Sequence, residues 1–93
     1  MIAPVRLTAA MVEEARGLVG PYLKPTRLLE IKRSGSTCKT LLKLECEQPT
    51  GSFKVRGALS NFTRRPASPA GFVTASAGNH ALGVAWAAQR TGR

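Results

Sequence analysis

The residues best able to do chemistry fall in two short runs, Gly51-Ser52-Phe53-Lys54-Val55-Arg56-Gly57-Ala58 and Ala75-Ser76-Ala77-Gly78-Asn79-His80-Ala81. The first sets a lysine between glycines at the mouth of a helix. An amine used as a nucleophile must lose its proton, and burial or a nearby cation such as Arg56 moves a lysine in that direction. In the second run a glycine precedes a helix start, where unpaired backbone N–H groups and the helix dipole favour an anion. Ser76 and Asn79 add donors there, and His80 falls in the first turn. On residues alone both runs keep a bland alternative: Lys54 as a solvated surface charge, and Ser76 and Asn79 as simple helix caps beside an exposed His80. A reactive amine facing an anion-holding turn is the arrangement an aldehyde cofactor needs.

Other chemistries find little support. The single histidine has no patterned Cys or carboxylate partners, and the chain contains no Asp, so no metal site is expected. Cys38 and Cys46 have neither C-x-x-C spacing nor a disulfide framework. Cys46 lies in an alternating apolar run and reads as a small buried hydrophobe. Gly35-Ser36-Thr37-Cys38-Lys39-Thr40 faintly echoes a nucleotide-binding loop, but it has Cys38 where glycine is required and leads into a strand. No G-x-G-x-x-G occurs, and Glu45 and Glu47 read as solvent-facing or paired with nearby cations.

The formal charge is +9, from 14 Lys and Arg against 5 acidic residues. Such a balance suits nucleic acid, but the cations are scattered singly or in pairs, with no run and no aromatics to stack bases. A basic nucleic-acid-binding module therefore stands only as an alternative. With 43% hydrophobic residues in 93 positions the chain is ordinary globular material for one small domain. No stretch approaches the about 18 apolar residues of a membrane span. The opening Met1–Arg6 lacks the apolar core of a secretory signal, so the expectation is a soluble cytoplasmic protein without membrane contact.

The elements that must position these residues can be read from periodicity. Thr8 caps a helix running to Val19, which Gly20-Pro21 stops. Strands are expected at 28–32, with Leu29 and Ile31 on one face, and at 40–46. Ser52 is the expected cap of a helix through Phe62. Residues 63–70, with Pro66 and Pro69, form a linker. A buried-type strand at 71–75 then leads to a helix over 79–90, whose narrow face of Ala81, Val84, Ala85 and Ala88 lets it lie close on a sheet. Alternating strands and helices predict α/β layering with parallel strands. The last helix has no returning strand, so a fragment of a larger fold is expected.

The stretch Lys43–Ala58 resembles the cofactor-lysine region of serine/threonine dehydratases, fold-type II pyridoxal-phosphate enzymes similar to the tryptophan synthase β chain. Gly71–Ala81 resembles that family's asparagine loop, at the expected separation. The resemblance implies a parallel-sheet, three-layer α/β/α fold, of which this chain carries the opening part. Residues 1–62 would belong to the large cofactor domain and 63–93 would begin the small, mobile one. Lys54 would bind pyridoxal 5'-phosphate as a Schiff base and move the substrate α-proton, Phe53 would pack near the cofactor, and Asn79 would hydrogen-bond its ring hydroxyl. Ser76, Gly78, Asn79 and His80 would receive the substrate carboxylate. The implied activity is elimination from L-threonine or L-serine to a 2-oxo acid and ammonia, in a homo-oligomeric full-length form.

Three departures accompany the resemblance. Ala77 stands where racemising relatives commonly carry a second serine, which weakens the racemase alternative, because racemisation needs a proton donor on each face. Leu82 replaces a common glutamine, and Arg27 interrupts the usual Thr-Pro-Leu stretch. The family's glycine-rich phosphate loop and its partner for the pyridine nitrogen lie well downstream in relatives. The 93 residues by themselves are therefore expected to retain little cofactor, and a catalytically inactive remnant is the competing reading.

Overall fold

The computed structural model describes residues 3–93 and comprises three α-helices, a β-hairpin and one short 3-10 turn. Helix α1 (Ala9–Val19) begins where Thr8, in extended backbone, accepts the Met11 N–H on its hydroxyl at 3.2 Å. This is the predicted cap, and it satisfies one of the orphan amides of the first turn. Strands β1 (Leu28–Ile31) and β2 (Thr40–Lys43) pair antiparallel, with Leu29 opposite Leu42 and Ile31 opposite Thr40. Leu29 and Ile31 thus share a face, as expected.

Helix α2 (Lys54–Arg64) is the centre of the molecule, touching both α1 and α3 (Asn79–Thr91), with Val55 and Leu59 fully enclosed and Ala58 and Phe62 nearly so. Val19 and Leu23 close one side of this core and Ala87 the other, with Tyr22, Phe72, Val84 and Trp86 packed at its margin. Phe72 meets Phe62 edge-on at 4.5 Å, which ties the linker back to α2. Gly83 of α3 rests on the Lys54–Val55 peptide, and the Arg93 guanidinium donates to the Phe62 and Arg65 carbonyls at the other end of α2. Contacts in that order mean that α2 and α3 run parallel, with both N-termini at one end.

Several expectations are corrected. Residues 71–75 form no strand, and Val73 is fully exposed. A strand is defined by pairing, and β1 and β2, the two strands among the described residues, pair with each other, so that run has no neighbour to complete its hydrogen bonds. The only sheet among the described residues is accordingly antiparallel. Strand β2 stops at Lys43, because Glu45–Glu47 turns into a 3-10 segment that leaves Cys46 exposed rather than buried. Helix α2 starts one residue later than expected, with Phe53 as N-cap, although Ser52 still accepts the Lys54 amide at 3.3 Å. The buried face of α3 is centred on Gly83 and Ala87, while Ala85 is exposed.

The hairpin is apolar on both faces, yet Leu28, Leu29, Leu41 and Leu42 are each at least 42% exposed. Such doubly apolar strands are the pattern of a sheet covered on both sides. The radius of gyration, 16.4 Å, exceeds the about 13 Å of a compact chain of this size, because the hairpin projects from the helices. Among the described residues no helix is long and apolar enough to cross a membrane.

Candidate active site

Gly51 takes a left-handed conformation (φ +79°), which only glycine adopts without cost, and this turns the chain sharply into α2. The turn makes Lys54 the first residue of the helix. Its side chain is exposed, the ammonium lies 5.3 Å from the Phe53 ring centre, and it enters no ion pair among the described residues. The burial anticipated for Lys54 is not found. Arg56, the cation expected to act on it, is engaged elsewhere, by Glu45.

The second run forms the entry to α3. Gly78 occupies the N-cap without a side-chain bond, and the first intrahelical bond runs from the Leu82 amide to the Gly78 carbonyl at 3.2 Å. The N–H groups of Asn79, His80 and Ala81 therefore precede any intrahelical acceptor. Ser76 does not cap the helix. Its hydroxyl accepts the Gly78 amide at 3.2 Å and shapes the turn. His80 Nε2 lies 3.0 Å from the Thr74 hydroxyl, which fixes the ring against the incoming segment.

The parallel packing of α2 and α3 brings the two runs together. A Cβ built on Gly83 would sit 3.2 Å from the Lys54 carbonyl carbon and oxygen and from the Val55 nitrogen. Asn79 precedes Gly83 by four residues, so it lies on the same face of α3, about 6 Å further along the axis. Its position thus lies past the start of α2, at the end where Lys54 stands. Two helix N-termini and an ammonium converge there without an acidic residue in either first turn. The positive dipole ends reinforce one another and favour an anion.

These features fit an anionic aldehyde: a free amine, an aromatic face beside it, and open amides one turn away. Phe53, Lys54, Ser76, Gly78, Asn79 and His80 are all exposed, so the face is open to solvent. The groove of about 760 Å³ between α1 and α2 lies elsewhere, lined by residues such as Val19, Leu23 and Ser60.

Residues outside the two runs also build the site. Thr74 holds His80, Gly83 permits the close approach, and Glu45 binds α2 through Arg56. Only Gly83 carried a sequence signal, as a glycine inside a helical pattern, where close packing is a usual reason for it. The Glu45 carboxylate accepts from the Arg56 guanidinium, from the Thr26 hydroxyl at 2.7 Å and from the Gln48 amide at 3.2 Å. The Arg56 hydrogen bond, helped by Thr26 and Gln48 and opposed by partial burial, holds its pKa at about 2 instead of 4.5. Glu47 is lowered in the same direction by its hydrogen bonds with Arg27, at 3.0 and 2.6 Å.

A carboxylate depressed on folding stabilises the native state above its unfolded pKa and loses that contribution as pH falls through its folded value. Stability is therefore expected to decline from about pH 4.5 toward pH 2. Thermal melts by circular dichroism across that range should show a shallower decline for Glu45→Gln. An unchanged pH slope in that variant would contradict the assignment.

Comparison with known proteins places the chain in a family. The family described as pyridoxal-phosphate dependent enzyme matches residues 19–93. The "L-threonine dehydratase catabolic TdcB" of Staphylococcus aureus (strain USA300) is 40% identical over 86 residues, covering 87% of this chain and 25% of that protein. The "L-threonine ammonia-lyase" of Geobacter sulfurreducens is 37% identical over 90 residues, covering 92% of this chain and 22% of that protein. The chain thus spans about a quarter of the length of the curated relatives it matches. No solved structure matches it.

Proposed function

Since the chain belongs to the pyridoxal-phosphate-dependent enzyme family, we propose that it contributes the cofactor lysine and the substrate-carboxylate turn of a lyase acting on L-threonine or L-serine. The observation that supports this reading is the seating of Gly83 on the Lys54 peptide, with Asn79 one helical turn before Gly83. The names of the relatives, threonine dehydratase and threonine ammonia-lyase, support the substrate class.

Bound pyridoxal phosphate would supply an aldehyde for amines and a ring that accepts the electrons of a breaking Cα–H bond. Lys54 Nζ would hold the cofactor and, with the substrate in place, would take the α-proton. Phe53 gives an apolar wall beside that nitrogen. Asn79, on the stripe leading to Lys54, would hydrogen-bond the cofactor's ring hydroxyl. The backbone around Gly78 and Asn79, with Ser76 and His80, would receive the substrate carboxylate at the positive end of α3. Holding the carboxylate there directs the α-hydrogen toward Lys54, and loss of the β-hydroxyl as water follows. Hydrolysis then returns that water and releases ammonia, leaving a 2-oxo acid. Ala77 places no side-chain acid on the opposite face, which suits elimination and not racemisation.

In this reading residues 1–62 belong to the large cofactor domain and 63–93 open the small one, within a three-layer α/β/α fold and a homo-oligomeric whole. The uncovered apolar faces of the hairpin support a wider sheet around it.

The test is reductive trapping. The purified chain is incubated with excess pyridoxal phosphate, reduced with borohydride and mapped by peptide mass spectrometry. Label is expected mainly on Lys54, in preference to Lys24, Lys32, Lys39 and Lys43, even if little cofactor survives gel filtration. Equal labelling of all the lysines would overturn the reading.

A further inference from the structure

The N-cap of α2, Phe53, makes no side-chain hydrogen bond and the first turn has no acidic residue, so the Ser52 hydroxyl, 3.3 Å from the Lys54 amide, is its one side-chain cap among the described residues. The helix is also held from its two flanks. Successive helical residues are about 100° apart, which puts Lys54 and Arg56 on either side of Val55. Val55 is fully buried and begins the core stripe that Ala58, Leu59 and Phe62 continue. On the Lys54 flank, α3 meets the helix backbone at Gly83. On the Arg56 flank, the guanidinium donates through Nε and an Nη to the two oxygens of Glu45.

Glu45 is itself immobilised. Thr26 donates to it from the segment entering β1, and Gln48, only 5% exposed, donates from the loop that leads to α2. The Leu44 amide bonds the Arg27 carbonyl at 2.9 Å, which closes the base of the hairpin around the same carboxylate. A two-point guanidinium–carboxylate grip carries orientation as well as attraction. A helix gripped so on one flank and blocked by backbone on the other cannot roll about its axis.

We propose that Glu45 is a positioning residue for Lys54: through Arg56 it sets the rotation of α2 and so aims the lysine at the Asn79 turn. The inference rests on the reading of Lys54 as the cofactor lysine. A small roll of α2 would swing the tip of the long Lys54 side chain away from α3 further than it would shift the apolar stripe near the helix axis. Loss of the grip is therefore expected to disturb aim more than folding.

The experiment compares the wild-type chain with Glu45→Gln, with Thr26→Val as a milder variant, and with the charge-swapped pair Glu45→Arg/Arg56→Glu. Nuclear Overhauser contacts from Gly83 Hα to the Lys54 and Val55 amides report the roll, and far-ultraviolet circular dichroism reports helix content. Glu45→Gln should lose those contacts at unchanged helix content, Thr26→Val should weaken them, and the swapped pair should restore them. The share of trapped pyridoxal label on Lys54 should fall severalfold in Glu45→Gln, toward even labelling of the five lysines, and recover in the swapped pair. Contacts that persist in both Glu45→Gln and Thr26→Val, or a swapped pair that fails to restore them, would overturn the inference. Contacts that respond as expected in a wild-type chain labelled equally on all lysines would instead overturn the reading of Lys54.

Discussion

Replacing Leu59 by alanine is expected to cost about 2–5 kcal/mol, the usual range for emptying a fully enclosed leucine site. Leu59 has no exposed surface and lies midway along α2, the one helix that touches both of its neighbours. Removing its isobutyl group opens the layer between α1 and α3 together, and neither helix contacts the other closely enough to fill the gap. A chain of this length has about 5–14 kcal/mol in total by the usual per-residue range. With seven buried apolar residues forming the core, this one belongs at the lower end. Urea denaturation followed by circular dichroism should therefore show a much lower midpoint for Leu59→Ala at 25 °C. Val73→Ala is the control, because that side chain is fully exposed and the change should stay within about 0.5 kcal/mol. A loss below about 1 kcal/mol at Leu59 would mean that α2 does not organise the core.

Gly83→Val is expected to be the second most damaging change. Even a single added carbon at Gly83 would lie 3.2 Å from three backbone atoms of Lys54 and Val55, and backbone in a helix cannot move aside as a side chain can. Two opposing terms decide the smaller substitution. Alanine gains about 1 kcal/mol over glycine in helix propensity, while forcing atoms into a filled space costs about 1–3 kcal/mol. Gly83→Ala should therefore be neutral to moderately destabilising. Gly17→Ala, in α1 with nothing nearby, should be stabilising by about 1 kcal/mol. Valine adds two further carbons and loses the propensity advantage, so α3 must lift from α2. Thermal melts should rank Gly17→Ala above wild type and wild type above Gly83→Val. The share of cofactor trapped on Lys54 should fall in Gly83→Val, since the Asn79 turn moves away with α3. A Gly83→Val chain as stable as wild type would exclude close packing of these helices.

The three helices were legible from local pattern alone, because helical hydrogen bonds close within a few residues and their ends are marked by short-range chemistry. Thr8 capping α1, Gly20 ending it and Gly51 turning into α2 are all of this kind. The cofactor family was equally legible, since it resides in contiguous residue types around Lys54 and Asn79 that need no knowledge of their spatial relation. Strands are another matter, as each depends on a partner supplied from elsewhere in the chain. That is why 71–75 reads as a strand yet forms none among the described residues, and why Cys46 is exposed although its run alternates like a covered strand. Only the tertiary structure decided that α2 and α3 lie parallel, that Gly83 meets the Lys54 peptide, and that Glu45 takes Arg56 away from the lysine. Those contacts join residues 11 to 31 positions apart, and a linear pattern does not encode the distance or angle at which such partners meet.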